Sequence, residues 1–235
     1  MHKIAIAPEI LDRIKGFRPA LHMFDRLDPK RTAHIVVDLQ NGFMEPGATV
    51  ELPVARDIVA NVNAICKAVR AAGGVNVFIR YLIDEPTQVN WSSWFTDFAS
   101  PQRRKAMIET FGRDCHGFAL WPGLDVQLED LIVDKTRFGA FVPGSSQLHD
   151  ILHARGIDTL IITGTATNVC CESTARDAMQ MNYKVIFVAD GNAALTDAEH
   201  NATLNNMVTL FADVMMTEEL IGFLEKAAAM RQAAE

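Results

Sequence analysis

The chain has few cysteines, and their spacing matches neither a paired CxxC zinc site nor a disulfide-rich scaffold. The four are Cys66, Cys115, Cys170 and Cys171. Such sparse usage is typical of a reducing compartment. We therefore expect a cytoplasmic protein, and the question becomes which thiol is chemically active.

Positive charge is also scarce, since 22 Lys and Arg stand against 29 Asp and Glu for a net charge of -7. This balance repels polyphosphate backbones and anionic membranes, so neither nucleic acid nor a membrane is an expected partner. No apolar run approaches transmembrane length. Charges at Lys3, Glu9 and Asp12 interrupt the first 32 residues, so no secretory signal is predicted there.

What the sequence does contain is short β-branched runs alternating with longer stretches of helical period. Hydrophobic residues make up 49% of 235 residues, which is enough to bury one large core. The alternation predicts βαβ units and a parallel sheet, and hence an α/β fold. The six predicted strands are 33–39, 75–81, 130–134, 158–163, 184–189 and 212–216.

The remaining segments define the domain organisation. We predict a single α/β domain over 33–229, preceded by an N-terminal arm over 1–32 and followed by a short tail over 230–235. The excursion 82–129 holds all three tryptophans and one short helix near 101–111, and excursions of this length are commonly lids or substrate walls. Other helices are predicted at 55–72, 145–155, 170–182, 197–211 and 217–229.

Polar residues follow three of the apolar runs. Asp38 closes HIVVDLQN, Lys135 follows LIVD, and Cys170 follows LIITGTATNV. Ligands of open parallel sheets bind at the carboxyl ends of strands, so these residues are the candidates for a catalytic site. Asp38 alone would be interpreted as a carboxylate that caps a turn, and Lys135 alone as a solvated surface charge. The occurrence of all three residues at strand ends favours catalysis.

The segment around Cys170 resembles a nucleophile elbow, because a strand, a tight turn and a helix follow one another there. A helix N-terminus stabilises the thiolate, so we expect the pKa of Cys170 to fall from about 8.5 toward neutrality, with Lys135 assisting. Asp38 is the expected base, since no histidine is placed as clearly for that role.

These residues carry a family resemblance. DLQN at 38–41, DKTRFGAF at 134–141 and TGTATNVCCESTARDA at 163–178 look like the three motifs of the isochorismatase-like cysteine hydrolases. The match runs in order over residues 31–217, and the family's Asp, Lys and Cys fall on Asp38, Lys135 and Cys170. The wording is closest to family members that release a carbamoyl or amide nitrogen.

The resemblance implies a doubly wound, six-stranded, mainly parallel sheet with helices on both faces, similar to a Rossmann fold. It further implies a thioacyl-enzyme intermediate, no cofactor, and a homo-oligomer, dimer or tetramer, whose N-terminal arm reaches a neighbour. The family often has a non-proline cis peptide in this turn, here expected at Ala166-Thr167. The implied oxyanion hole consists of Ala166, Thr167 and Cys170.

Two departures bear on the substrate, which we expect to be a small amide or ureido compound. Nicotinamidases of this family carry metal-binding histidines after the second strand, whereas RYLIDEPTQVNW at 80–91 has none. Isochorismatases proper usually lack the cysteine. Both activities remain alternatives, as does a non-catalytic binding protein on the same fold.

Other features invite weaker hypotheses. Cys171 is read as a buried apolar side chain, because neighbouring helix residues point about 100° apart. His149 and His153 superficially match a zinc helix, but Asp150 stands where that motif needs Glu, so no metal site is predicted.

The aromatic residues Trp91, Trp94, Phe95 and Phe98 belong either to the core or to the wall of a pocket. The candidate substrate contacts are Tyr81, Asn90, Trp91, Arg137, Phe138 and Asn168.

Overall fold

The computed structural model describes residues 1–232, which form an α/β fold around one parallel sheet. The strand order is β3-β2-β1-β4-β5-β6, and every neighbouring pair is parallel. The prediction of a doubly wound six-stranded sheet is confirmed, and the sheet is wholly rather than mainly parallel. The strands are β1 Thr32–Val37, β2 Val75–Tyr81, β3 Leu131–Lys135, β4 Thr159–Thr165, β5 Lys184–Ala193 and β6 Asp213–Met215.

Helices cover both faces of the sheet, because successive strand residues point to opposite sides and both sides are apolar. Ile35 and Val37 contribute to one buried cluster and Val36 to another. The first face is covered by α6 (Leu148–Ala154), α7 (Glu172–Gln180) and α8 (Asp197–Asn206), and the second by α3 (Val59–Ala72) and α9 (Thr217–Gln232).

The excursion after β2 folds over the carboxyl edge of the sheet. It contains α4 (Glu85–Asn90), a π-helical turn over Ser93–Phe98, and α5 (Pro101–Phe111), which confirms the short predicted helix. Asp84 and Ser100 cap the two α-helices through their side chains. Phe111 is fully buried in the second cluster, so the excursion is an integral part of the core.

The N-terminal arm packs on the domain of its own chain. It contains the helix α1 (Pro8–Ile14), whose last residue is buried in the first cluster. The preceding residues run extended beside α8, where three backbone N–H groups of the arm donate to its side chains. Of the predicted tail, residues 230–232 continue α9, and 233–235 lie outside the described residues. No helix within residues 1–232 is long and apolar enough to cross a membrane.

Two buried histidines make the stability of the fold depend on pH. Burial lowers the pKa of His34 to about 3 and that of His200 to about 4. Unfolded histidines titrate near 6.5, so below that pH the unfolded chain binds more protons than the folded one. The stabilisation is therefore complete above pH 6.5 and is lost as the pH falls from there toward 4.

We accordingly expect the free energy of unfolding to fall between pH 7.5 and pH 5, before most carboxylates titrate. Urea denaturation at pH 7.5, 6 and 5 measures this dependence. His34→Gln, which cannot titrate but retains a polar group for Thr163 and Asn76, should flatten the profile. An equal slope in the wild type and the variant would contradict the assignment to His34.

Candidate active site

Asp38, Lys135 and Cys170 meet at the carboxyl edge of the sheet. Asp38 follows β1, Lys135 ends β3, and Cys170 lies in the turn after β4. Because β2 separates β1 from β3, the long lysine side chain crosses over Tyr81 of β2, with Nζ 4.9 Å from the ring centroid. Nζ then donates to Asp38 Oδ2 at 2.7 Å and to the Arg137 carbonyl at 3.0 Å.

The chain conformation at Asp38 turns its side chain into the site. Its φ of 53° is left-handed, a region that Asp tolerates better than most residues. The backbone N–H of Asp38 donates to the Ile79 carbonyl, which fixes the turn to β2. Asp38 is fully buried, and Oδ1 has no hydrogen-bond partner among residues 1–232. This oxygen is therefore free to accept a proton.

Cys170 lies in a π-helical turn over Thr167–Cys171 that leads directly into α7. The predicted helix began at Cys170, whereas the helical turns begin three residues earlier. Gly164 precedes this turn with a φ of 120°, and a Cβ there would overlap the Val37 carbonyl. Glycine is therefore required where β4 passes closest to β1.

The cis peptide lies at Thr165-Ala166, so the prediction of Ala166-Thr167 was wrong by one residue. Ala166 is the N-cap of the π-helical turn, and its carbonyl accepts from the N–H groups of Val169 and Cys171. The Ala166-Thr167 peptide bond is therefore trans, and the cis bond lies directly at the end of β4. Val169 and Cys171 have no N–H left for a ligand.

Burial dominates the electrostatics of the site. It raises the pKa of the Cys170 thiol, and the charge of Asp38 adds to this while Lys135 opposes it. The expected fall toward neutrality is therefore wrong in direction, because Cys170 is only 4% exposed and its neighbours form a neutral pair. Burial also raises the pKa of Asp38, against the opposing charge of Lys135.

The lysine behaves differently. Burial lowers the pKa of Lys135, but the adjacent Asp38 carboxylate, to which Nζ donates, raises it, and the net direction is upward. Lys135 therefore stays an ammonium group at neutral pH. The resting site then contains a protonated thiol beside an Asp38-Lys135 ion pair.

A raised thiol pKa has a measurable consequence. The rate of Cys170 alkylation by iodoacetamide should keep rising with pH from 7 to 10, because only the thiolate reacts. Peptide mass spectrometry measures it residue by residue, and the partly exposed Cys115 serves as the internal reference. A rate that levels off near pH 7 would instead indicate a thiolate stabilised in the resting protein.

The predicted substrate contacts fall into two groups. Tyr81 is buried with its hydroxyl unpartnered among residues 1–232, and Phe138 lies 6.3 Å from its ring. Phe138 packs edge-on against Trp91, whose ring lies 5.0 Å from the Arg137 guanidinium. These four residues form one wall, which we call the aromatic wall.

The other candidate residues do not belong to the aromatic wall. Asn90 is exposed, and it contributes its backbone carbonyl to Arg137 at 3.2 Å rather than its amide. Asn168 lies half-buried within the π-helical turn. Phe95 is buried in the core and Phe98 is 79% exposed. Trp94 stacks against Trp91, and its buried indole nitrogen has no hydrogen-bond partner within the described residues 1–232. The excursion thus supplies both core and wall.

Sequence reasoning missed Gln40. Its buried amide donates to the Tyr81 and Phe118 carbonyls, and its oxygen accepts from the Tyr81 N–H at 2.6 Å. Gln40 thereby fixes the end of β2 beneath the aromatic wall. Its place in the DLQN motif was the sequence feature that could have identified it.

His200 was also missed. Its Nδ1 lies 2.9 Å from Thr167 Oγ1, but the two residues are 33 positions apart, so no local sequence pattern connects them.

The structure also shows where Cys171 and the helix of His149 and His153 lie. Cys171 is fully buried in the first cluster, as predicted. His149 contacts the Tyr183 hydroxyl at 3.0 Å, and Leu148 and Leu152 of the same helix face the core. Within residues 1–232, no group of three or more His, Cys, Asp or Glu is arranged to hold a metal ion.

This fold and this arrangement of residues define an α/β protein whose candidate catalytic residues meet at the carboxyl edge of a parallel sheet. The family described as "Isochorismatase domain" matches residues 32–219. The chain belongs to the isochorismatase family.

The chain is similar to one characterised relative and to two solved structures in particular. The chain is 31% identical over 211 residues to ureidoacrylate amidohydrolase RutB from Caulobacter vibrioides, covering 83% of this chain and 92% of that protein. It is similar to the crystal structure of a cysteine hydrolase from Pseudomonas syringae, with a TM-score of 0.76, 29% identity and coverage of 90% and 100%. N-carbamoylsarcosine amidase from Thermoplasma acidophilum shares the fold at 23% identity and a TM-score of 0.62, over 80% and 97% of the two chains.

Proposed function

We propose that the protein is a cysteine-dependent amidohydrolase that cleaves a small N-carbamoyl or amide substrate. The observation that carries the proposal is the fully buried ion pair of Asp38 and Lys135 beside the Cys170 thiol. A buried ion pair is a weak source of stability, because desolvation offsets much of its attraction. Its presence next to a thiol at a strand edge favours a chemical role.

In the first half of the reaction, Cys170 Sγ attacks the carbonyl carbon while its proton passes to Asp38 Oδ1. The N–H groups of Ala166, Thr167 and Cys170 are the proposed oxyanion hole. Lys135 keeps the carboxylate oriented and lowers the energy of the negative charge that develops. The C–N bond then breaks as Asp38 returns the proton to the leaving nitrogen, which leaves a thioester on Cys170.

In the second half, a water molecule attacks the thioester, and Asp38 accepts a proton from that water. Collapse of the tetrahedral intermediate breaks the C–S bond, and the thiol regains a proton from Asp38. The protonated resting thiol fits this scheme, because proton transfer and nucleophilic attack then occur together. Asp38 is suited to both steps because burial raises its pKa toward the working range of a general base.

The residues of the aromatic wall favour a planar substrate that carries a carboxylate. Among residues 1–232 the Tyr81 hydroxyl has no hydrogen-bond partner, and Tyr81 lies close enough to Cys170 and Arg137 for the charge of each to act on it. The planar guanidinium of Arg137 is suited to pair with a carboxylate of the substrate. The name of the curated relatives, ureidoacrylate amidohydrolase, refers to a ureido acid of this kind.

Three rival functions have different requirements. A nicotinamidase-like activity would require the metal ligands that RYLIDEPTQVNW lacks, and a vinyl-ether hydrolase of the isochorismatase type would not need Cys170. A binding protein on this fold would need neither Asp38 nor Lys135 in a buried pair.

Ammonia release from a panel of compounds tests the proposal. The panel contains ureidoacrylate, other N-carbamoyl acids, maleamate, biuret and nicotinamide. We expect turnover of ureido or linear amide compounds by the wild type and none by Cys170→Ser. Turnover confined to nicotinamide, or equal turnover by both proteins, would overturn the proposal.

Chelation should leave this activity intact, since the groups around the Asp38 carboxylate are a lysine, a thiol and a tyrosine. We expect the same kcat before and after prolonged dialysis against EDTA. Loss of turnover that zinc or iron restores would show that a metal ion takes part.

Location and assembly stay predictions. All four cysteines are unpaired, which fits the expected reducing cytoplasm. A dimer or tetramer, expected from the family resemblance, is measurable by light scattering coupled to size-exclusion chromatography.

A further inference from the structure

The extended start of the arm is held along α8 by a regular ladder. Every second N–H group of the arm meets every fourth side chain of the helix, since two extended residues span about 6.6 Å and four helical ones about 6 Å. The pairs are Lys3 with Asp197 at 3.3 Å, Ala5 with Asn201 at 2.8 Å and Ala7 with Asn205 at 2.9 Å. The Asn201 amide also donates to the Lys3 carbonyl at 2.9 Å.

The ladder seats the His2 side chain in the interior, where it is only 3% exposed. The Ala194 N–H donates to Nε2 at 2.9 Å, so Nδ1 carries the proton and donates to Asp197 at 2.7 Å. Both ring nitrogens are therefore committed. The imidazole lies flat on His200, with centroids 4.3 Å apart and planes inclined by 17°.

His200 connects this stack to the catalytic turn. It is fully buried, and burial lowers its pKa to about 4, so the ring is neutral and has one acceptor nitrogen. Its Nδ1 lies 2.9 Å from the hydroxyl of Thr167, which is also fully buried. Thr167 begins the π-helical turn that ends beside Cys170. Contacts thus run without a gap from the arm to the reacting thiol.

We propose that His2 and His200 are positioning residues, through which the docked arm holds the Cys170 turn in its reactive geometry. The proposal rests on the proposed function, because it is the N–H groups of this turn that would stabilise the oxyanion. Such donors must lie about 2.7–3.1 Å from the developing charge. A displacement of about 1 Å can cost about 100-fold in rate.

The test is a double-mutant cycle in the full chain. His2→Ala and His200→Leu should each lower kcat about tenfold or more and leave KM within about twofold, since the interaction acts on the transition state. The double variant should be no slower than His200→Leu, because His2 acts through His200. His200→Asn, which retains a polar group near the Nδ1 position, should recover part of the rate.

Lys15→Ala is the matched control. Lys15 belongs to the same arm, is 74% exposed at its side chain, and pairs with Asp12 rather than with α8. Its kcat should equal that of the wild type. If His200→Leu fails to fold by thermal denaturation, Thr167→Val replaces it, with Thr167→Ser as the variant that retains the hydroxyl.

Alkylation of Cys170 supplies a second readout that needs no substrate. His2→Ala should change the iodoacetamide rate at pH 9 severalfold, and Lys15→Ala should not. This result would stand even if no compound of the panel were hydrolysed, which separates the two proposals. Unchanged kcat and alkylation in His2→Ala, or fully additive effects in the double variant, would overturn the positioning role.

Discussion

Cys170→Ser is expected to reduce turnover by several orders of magnitude, whereas Cys171→Val retains most of it. The serine hydroxyl has a far higher pKa than a thiol, and Asp38 is too weak a base to activate it. Cys171 is fully buried in the core, where valine is nearly isosteric and costs little. Steady-state kcat on the best panel substrate measures both variants.

Two controls accompany this comparison. Circular dichroism and thermal denaturation establish that both variants are folded, and mass mapping after iodoacetamide treatment identifies the alkylated residue. An inactive Cys171 variant beside an active Cys170 variant would mean that the family motif is misaligned by one residue.

Asp38→Asn is expected to lower kcat by about 10²–10⁴-fold, the usual range for a general acid-base group. The amide retains the size of the carboxylate but cannot take the thiol proton. Because the lost step is chemical, KM should change little. Near-normal turnover in the folded variant would remove Asp38 from the mechanism.

Lys135→Ala carries a second expected effect, on stability. Asp38 and Lys135 are both fully buried, so removal of the lysine leaves an unpaired buried carboxylate. Breaking such a pair typically costs about 3–5 kcal/mol. We therefore expect both a loss of kcat and a lower free energy of unfolding.

Lys184→Met is the matched control for this effect. Lys184 also pairs with an aspartate, Asp158, at 3.3 Å, but its side chain is 53% exposed. Exposed pairs contribute about 0–1 kcal/mol. Urea denaturation should separate the two lysines clearly. Equal destabilisation would contradict a special role for burial at Lys135.

The three catalytic candidates could be predicted from sequence because strand order and strand ends leave local signals. Apolar runs predicted all six strands within a few residues, and Asp38, Lys135 and Cys170 each lie at or beyond the carboxyl end of one of them. In a parallel sheet the carboxyl ends of strands share one edge, so residues 97 positions apart were expected to meet, and Lys135 does contact Asp38.

The tertiary structure decided what depends on burial and on distant contacts. The direction of the Cys170 pKa shift follows from how completely Cys170 is buried, and no local sequence pattern shows this burial. The role of Asn90 is carried by its backbone, and the route from His2 through His200 to Thr167 joins segments nearly 200 residues apart. Periodicity records which face of an element is apolar, and so it determined the fold and the candidate triad. Solvation and hydrogen-bond geometry arise only when the elements pack, and so the structure alone determined the protonation of the thiol and the contacts that hold its turn.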